Sequence, residues 1–116
     1  METPRHNIEI HQGASFAIGF SHLDSENSPV NLTGWTARMQ VRVNVGGKVL
    51  ADLSTENRMI VIEPTAGRVN VTFPRAVTRA MAAGLAVYDL FIVSPDDFAI
   101  KLIGGDVLVV PSVTRG

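Results

Sequence analysis

The sequence predicts an all-β protein, an immunoglobulin-like antiparallel β-sandwich of about seven to nine strands. Three observations carry that expectation. Trp35, Ala37, Met39, Val41 and Val43 alternate with Thr36, Arg38, Gln40, Arg42 and Asn44. A period of two places one face in a core and the other in water. Turn signals rich in Gly, Pro, Asn and Asp recur at roughly eight-to-twelve-residue spacing between such stretches. The last third holds three apolar runs, Ala86 to Val93, Phe98 to Ile103 and Val107 to Val110. Val, Ile, Phe and Tyr dominate them, and these side chains fit a pleated surface.

The elements follow in order. Ile8 and Ile10 alternate with Glu9 and His11 as a short first strand, ended by Gln12-Gly13. Ser15 to Leu23 is a second, with Phe16, Ile18 and Phe20 on one face. A polar loop from Asp24 to Pro29 and an extended link with a turn at Gly34 lead to the alternating strand. Trp35 is expected to anchor the core from a middle strand. Gly46-Gly47 marks a hairpin into Val49 to Leu53, and further turns separate Met59 to Ile62 from Arg68 to Phe73. One short helical turn is expected near residues 79–83, N-capped by Thr78 and closed by Gly84 at C′. Ala86 to Val93 is apolar at nearly every position, with Asp89 the exception, so it reads as a central strand covered on both faces. Gly104-Gly105 reads as a bulge or break before the final strand.

The chain of 116 residues is expected to form one domain, residues 1–116, with an N-terminal arm at 1–7 and a C-terminal tail at 111–116. An apolar fraction of 46% against 18% charged residues excludes disorder as the default state. Ten basic and eleven acidic residues give a net charge of -1, without the basic excess that nucleic-acid binding uses. Cysteine is absent, so disulfide and thiolate chemistry are excluded. The start, Met1-Glu2-Thr3-Pro4-Arg5-His6, has no apolar secretion segment, and no apolar run approaches the roughly 18 residues of a membrane-spanning helix. Neither nucleic acid nor a membrane is therefore an expected partner.

Chemistry-bearing residues are few and scattered. His6, His11 and His22 lack the company and spacing of a zinc site, and Asp24-Ser25-Glu26-Asn27 and Asp96-Asp97 lack the regular oxygen ligands of a calcium loop. Glu63, Asp89 and Asp52 show nothing that would mark a hydrolytic carboxylate pair. No P-loop, nucleophile elbow or metalloprotease signature occurs. No metal, cofactor or catalytic site is expected, and the chain does not read as an enzyme. Asp89, an acid within an apolar strand, is expected to be a structural anchor paired with Arg38, Arg42 or backbone amides.

Beyond these patterns, the order of short motifs carries a resemblance. Leu32-Thr33-Gly34-Trp35-Thr36 is followed by Gly67-Arg68-Val69, Thr78, Gly84 and Tyr88-Asp89-Leu90. The chain closes on Leu102-Ile103-Gly104-Gly105-Asp106-Val107 and Val113-Thr114-Arg115. This sequence of pieces resembles a family of small tailed-bacteriophage proteins like the N-terminal immunoglobulin-like domain of phage baseplate upper proteins. It departs in having Gly104-Gly105-Asp106 where a single glycine is usual, and Ala86-Val87 where an aromatic often precedes Tyr-Asp.

The resemblance implies a virion structural protein, assembled in the host cytoplasm, that docks other virion proteins in the tail, baseplate or neck. It also implies a homo-oligomer or many copies on a symmetric ring. A capsid-decorating role is the alternative within that class; a carbohydrate-binding module, short of rings with one Trp and one Tyr, is the alternative outside it. Longer relatives continue past the position of Gly116, so a stand-alone module without a receptor-binding tip is expected. Structural positions on this reading are Trp35, Gly84, Tyr88, Asp89 and Gly104. Candidate docking residues are Arg5 on the N-terminal arm and Val110, Pro111, Val113 and Arg115 on the C-terminal segment.

Overall fold

The strand marked most clearly by its alternation is β3 (Thr36–Arg42), which lies inside a five-stranded sheet of a computed structural model describing residues 4–114. Ala37, Met39 and Val41 are buried, while Thr36 and Arg38 face water and Gln40 and Arg42 are half-buried. Its neighbours are β4 (Val49–Ser54) on one side and β7 (Gly84–Val93) on the other, both antiparallel. Beyond β7 lie β8 (Ala99–Val110) and, parallel to it, β1 (Ile8–His11), giving the order β1-β8-β7-β3-β4.

The facing sheet has three antiparallel strands in the order β2 (Phe16–Ser21), β6 (Arg68–Phe73), β5 (Ile60–Glu63). Phe20, Ile60, Val69, Val71 and Phe73 meet Ile10, Met39, Leu53, Leu90, Ile92 and Val107 in one buried cluster. Each such side chain taken out of water stabilises the fold by about 1.5–3 kcal/mol. Phe16 closes one margin, edge-to-face against Phe73 with centroids 5.9 Å apart. Eight strands in two sheets make this an all-β sandwich of the expected class among the described residues.

Four local expectations require correction. The helix, α1, spans Arg75–Ala80, beginning four residues before the expected turn at 79–83 and sharing only Arg79 and Ala80 with it. Pro74 occupies the N-cap in an extended conformation, and its carbonyl oxygen accepts from the amides of Val77 (2.9 Å) and Thr78 (3.1 Å). Proline's fixed φ suits the entry to a helix, and so the chain turns there. Thr78 is not a cap but is fully buried within the helix, and Met81 ends it. Gly84 therefore opens β7, at φ +124, instead of closing the helix.

Trp35 precedes β3 and is half-buried, stacked at a tilt on the His22 ring at 6.3 Å. Leu32, in the same link, is fully buried and takes the core position instead. Its backbone amide donates to the carbonyl of Pro64 at 2.9 Å, which fixes the loop over the core.

Although β7 is central, it is covered on one face only. Ala86, Tyr88, Leu90 and Ile92 point inward, whereas Val87, Asp89 and Val93 are half-buried and Phe91 is exposed on the outer face. A three-stranded second sheet covers just one side of the five-stranded one.

Gly104 and Gly105 do not break the last strand. β8 runs unbroken through both, and the irregularity in its pairing with β7 lies earlier, where Leu90 pairs with Ile103 and Phe91 with Lys101. The reason for Gly105 is a close approach from the N-terminal arm, whereas a Cβ on Gly104 would meet the Tyr88 carbonyl oxygen of β7 at 3.2 Å. A Cβ on Gly105 would lie 2.8 Å from the carbonyl carbon of His6 and 3.0 Å from Asn7 Oδ1.

Candidate docking site

The N-terminal arm is held to β8 along its length. His6 N donates to Gly104 O at 3.0 Å, and Gly104 N to Pro4 O at 3.2 Å, so the arm continues the parallel pairing begun by β1. Asp106 N donates to Asn7 Oδ1 at 2.9 Å. Tyr88, almost fully buried, donates its phenol to His6 O at 2.5 Å. Burial pushes that phenol up to about 12, against a smaller opposing pull from Arg5. Arg5 lies 3.6 Å from Asp106, both side chains being largely exposed. The expected docking arm is thus strapped to its own sheet from Pro4 onward, and Tyr88 and Gly104 are the residues that receive it.

The outer face of the five-stranded sheet carries the polar residues of β3. Arg38 makes a two-pronged contact with Asp52 on β4, at 2.7 and 3.2 Å. The Arg38 hydrogen bond holds the Asp52 carboxyl below the usual carboxylate range. Arg42 donates to Gln40 Oε1 and to Gly47 O at 2.8 Å. Both arginines are therefore engaged away from Asp89, which the ladder places between Gln40 and Gly104. The expected pairing of Asp89 with Arg38 or Arg42 is not formed, because Asp52 holds the one guanidinium and Gln40 with Gly47 the other.

Apolar side chains gather at one end of this face. Leu85, 78% exposed, is the cross-strand partner of Leu108, and Val45, 93% exposed, caps the β3–β4 hairpin. Among the described strands, β1 and β4 form the edges of one sheet and β2 and β5 those of the other, and on β4 the Asn57 side chain already takes the Ser54 amide and the Asp52 carbonyl. At the C-terminal segment, Val110 ends β8 half-buried, while Pro111 and Val113 are exposed; Arg115 lies outside the described residues.

A cleft unmarked in the sequence lies beside that segment. The β1–β2 turn, α1 and the residues after β8 enclose about 410 Å3, lined by Gln12, Gly13, Arg75, Arg79, Ser112 and Thr114. Gln12 ties the walls together: its Nε2 donates to Met81 O at 2.8 Å and its Oε1 accepts from Ser112 N at 3.2 Å. Thr78 Oγ1 accepts from Gly13 N and donates to Arg75 O, both at 3.1 Å. The only sequence signal was the spacing of Arg75 and Arg79 by four, which becomes meaningful once the helix begins at Arg75.

His11 sits 3.1 Å from Glu9, and His22 is taken up by Trp35. Among the described residues no group of three His, Asp or Glu is placed to hold a metal ion, and no helix is long and apolar enough to cross a membrane.

The architecture defines a two-sheet β-sandwich of the immunoglobulin-like class. No protein-family model and no curated protein matches the chain. Solved structures are similar to it. It is similar to the N-terminal domain of ORF48 of phage TP901-1, with a TM-score of 0.60 and 11% identity over 94% of this chain and 90% of that one. It is also similar to fibronectin(III)-like modules of CbhA from Clostridium thermocellum, at TM-score 0.49 and 12% identity, covering 95% and 93% of the two chains. CopC from Methylosinus trichosporium OB3b matches at TM-score 0.49 and 13% identity, covering 93% and 89%. At 11% identity the likeness to the ORF48 domain speaks to the fold alone.

Proposed function

We propose that this chain is a non-enzymatic structural protein of a tailed-bacteriophage particle, a tail, baseplate or fibre-adaptor module that works by docking other virion proteins. The observation that carries this reading is the likeness to the phage ORF48 domain along almost the whole of both chains. Its support in the sequence is the ordered motif set, two parts of which have a shared structural task here. Tyr88 of Tyr88-Asp89-Leu90 and the Gly104-Gly105 pair together receive the N-terminal arm.

Docking is what such a surface offers. Open sheet edges can be extended by a neighbour's strand, and the exposed Leu85, Leu108 and Val45 supply apolar area at one end. Copies repeated around a ring would add weak contacts into stable attachment.

The test is the protein content of gradient-purified particles from the phage whose genome encodes the chain. Peptides of this protein should persist in the particle band after a high-salt wash. Their absence from particles, with the protein present in the infected-cell lysate, would overturn the reading.

A further inference from the structure

We propose that β1 and the arm before it are exchanged between two copies of this chain, each copy laying its residues 6–11 along β8 of the other. The proposal deepens the docking reading by naming one partner and its contacts, and it rests on that reading for the crowding of copies. The contacts of the segment belong to the sandwich that receives it. Ile8 and Ile10 enter the core, and β1 pairs with residues 107–110 of β8. His6 donates its amide to Gly104, its ring meets that of Phe20 edge-on at 6.4 Å, and its carbonyl accepts from Tyr88. Gly105 carries no side chain where this backbone passes. The identical segment of a second copy satisfies all of these contacts, which an unrelated strand would not.

The cost of exchange is confined to the link, residues 13–15. In the closed chain Gly13 turns at φ +82, its amide donates to Thr78 Oγ1, and Ala14 N donates to His11 O. Opening the link breaks those two hydrogen bonds. Thr78 keeps its donation to Arg75 O, and Ala14 and Ser15 are exposed, so water replaces much of what is lost. Gln12 travels with β1 and makes its bonds to Val110, Met81 and Ser112 in the receiving copy. The opened link spans about 10 Å, which holds the two sandwiches side by side. Reciprocal exchange leaves neither β8 uncovered, so the pair closes on itself. The β4 edge is less suited to a second copy, because Asn57 already takes the Ser54 amide and the Asp52 carbonyl there.

The chain has no cysteine, so introduced thiols report the exchange without interference. Glu9 and Leu108 are cross-strand partners with exposed side chains. Glu9→Cys and Leu108→Cys are placed on separate full-length chains, one of them tagged for size. The two are unfolded together in urea, refolded as a mixture at high concentration and oxidised. A disulfide joining the two chains is expected, with a mass by light scattering of twice the 12.5 kDa of one chain. The pair Glu9→Cys and Val61→Cys, with Val61 exposed on β5, measures chance collision. Glu9→Cys and Leu108→Cys together in one chain, refolded in dilute solution, should close within that chain and show that the two positions reach. Gly13→Pro forbids the φ of the closed turn and removes the donor to Thr78, so it should shift the folded protein from monomer to dimer.

Cross-linking no greater than with Val61→Cys, or a Gly13→Pro chain that folds as a monomer, would overturn the proposal. So would a dimer whose thiols join only within each chain, which is contact between intact copies. If Gly13→Pro does not fold, the cysteine mixture with the native link still decides. The virion reading fails on particle composition instead, so the two failures are told apart.

Discussion

The phenol of Tyr88 donates a hydrogen bond to the backbone carbonyl of His6, joining the central strand of the large sheet to the arm that precedes the first strand. Because the acceptor lies 82 residues away in sequence, the contact closes the arm onto the finished sheet. Tyr88→Phe keeps the ring in the core and removes only this bond. It is expected to cost about 1 kcal/mol in urea unfolding at neutral pH.

The same residue sets an alkaline limit. Its phenol stands at about 12 in the folded chain against an ordinary 10.0. The folded state therefore keeps a proton that the unfolded chain releases, so this contribution is full below the unfolded value and is lost as pH rises through the folded one. Stability should fall between roughly pH 10 and 12, and Tyr88→Phe should flatten that part of the profile. As Tyr88 is the one tyrosine, tyrosinate absorbance reads its titration directly, and an ordinary midpoint would contradict the buried placement.

Gly105 lies directly beneath the arm. Gly105→Ala places a methyl group against the His6 carbonyl, which must shift. The expected cost is about 1–3 kcal/mol. Amide exchange at His6 and Asp106 should quicken, while that of Met39 in β3 should not; uniform quickening would mean that the arm and the sheet unfold together.

On the opposite edge, Asp52 is held by Arg38 in water. With its carboxyl lowered from 3.8, this pairing stabilises the fold above that value and is lost as pH falls through the lower, folded one. Asp52→Asn should leave neutral stability little changed, as exposed pairs do, and make the acid limb of the profile shallower. Urea midpoints at neutral and acid pH measure both.

What the sequence disclosed depended on whether a signal was local. The alternation from Thr36 to Arg42 could be read because each residue's face follows from its neighbours'. The two-sided burial expected of Ala86 to Val93 failed because an apolar run does not say how many strands the second sheet has. Gly104-Gly105 reads as a break in the sequence because the reason for Gly105, the arm lying against β8, comes from residues nearly a hundred positions earlier. The helix start was available in Pro74, but the alanine-rich run downstream was the stronger propensity signal. The arginine cleft depended on that same start and on three segments meeting, and only the folded chain brings them together.

Leu32 against Trp35 gives that lesson a measurable form. Leu32→Ala should cost about 2–5 kcal/mol, as expected for a fully buried side chain. Trp35→Ala, although it deletes far more atoms, should cost less, since Trp35 is half-buried at the margin of the core. Paired urea denaturation curves compare the two, and the reverse order would restore Trp35 as the anchor.

On the proposed function, the chain is a tail-end component of a virion. Immunogold microscopy of intact particles from the encoding phage, with an antibody against this chain, tests it most directly. Label concentrated at the tail end is the result expected of a baseplate or fibre-adaptor module. Label over the head would contradict the tail assignment and point to decoration of the capsid. Unlabelled particles, with the epitope shown to be accessible and the protein present in infected cells, would contradict the virion role itself.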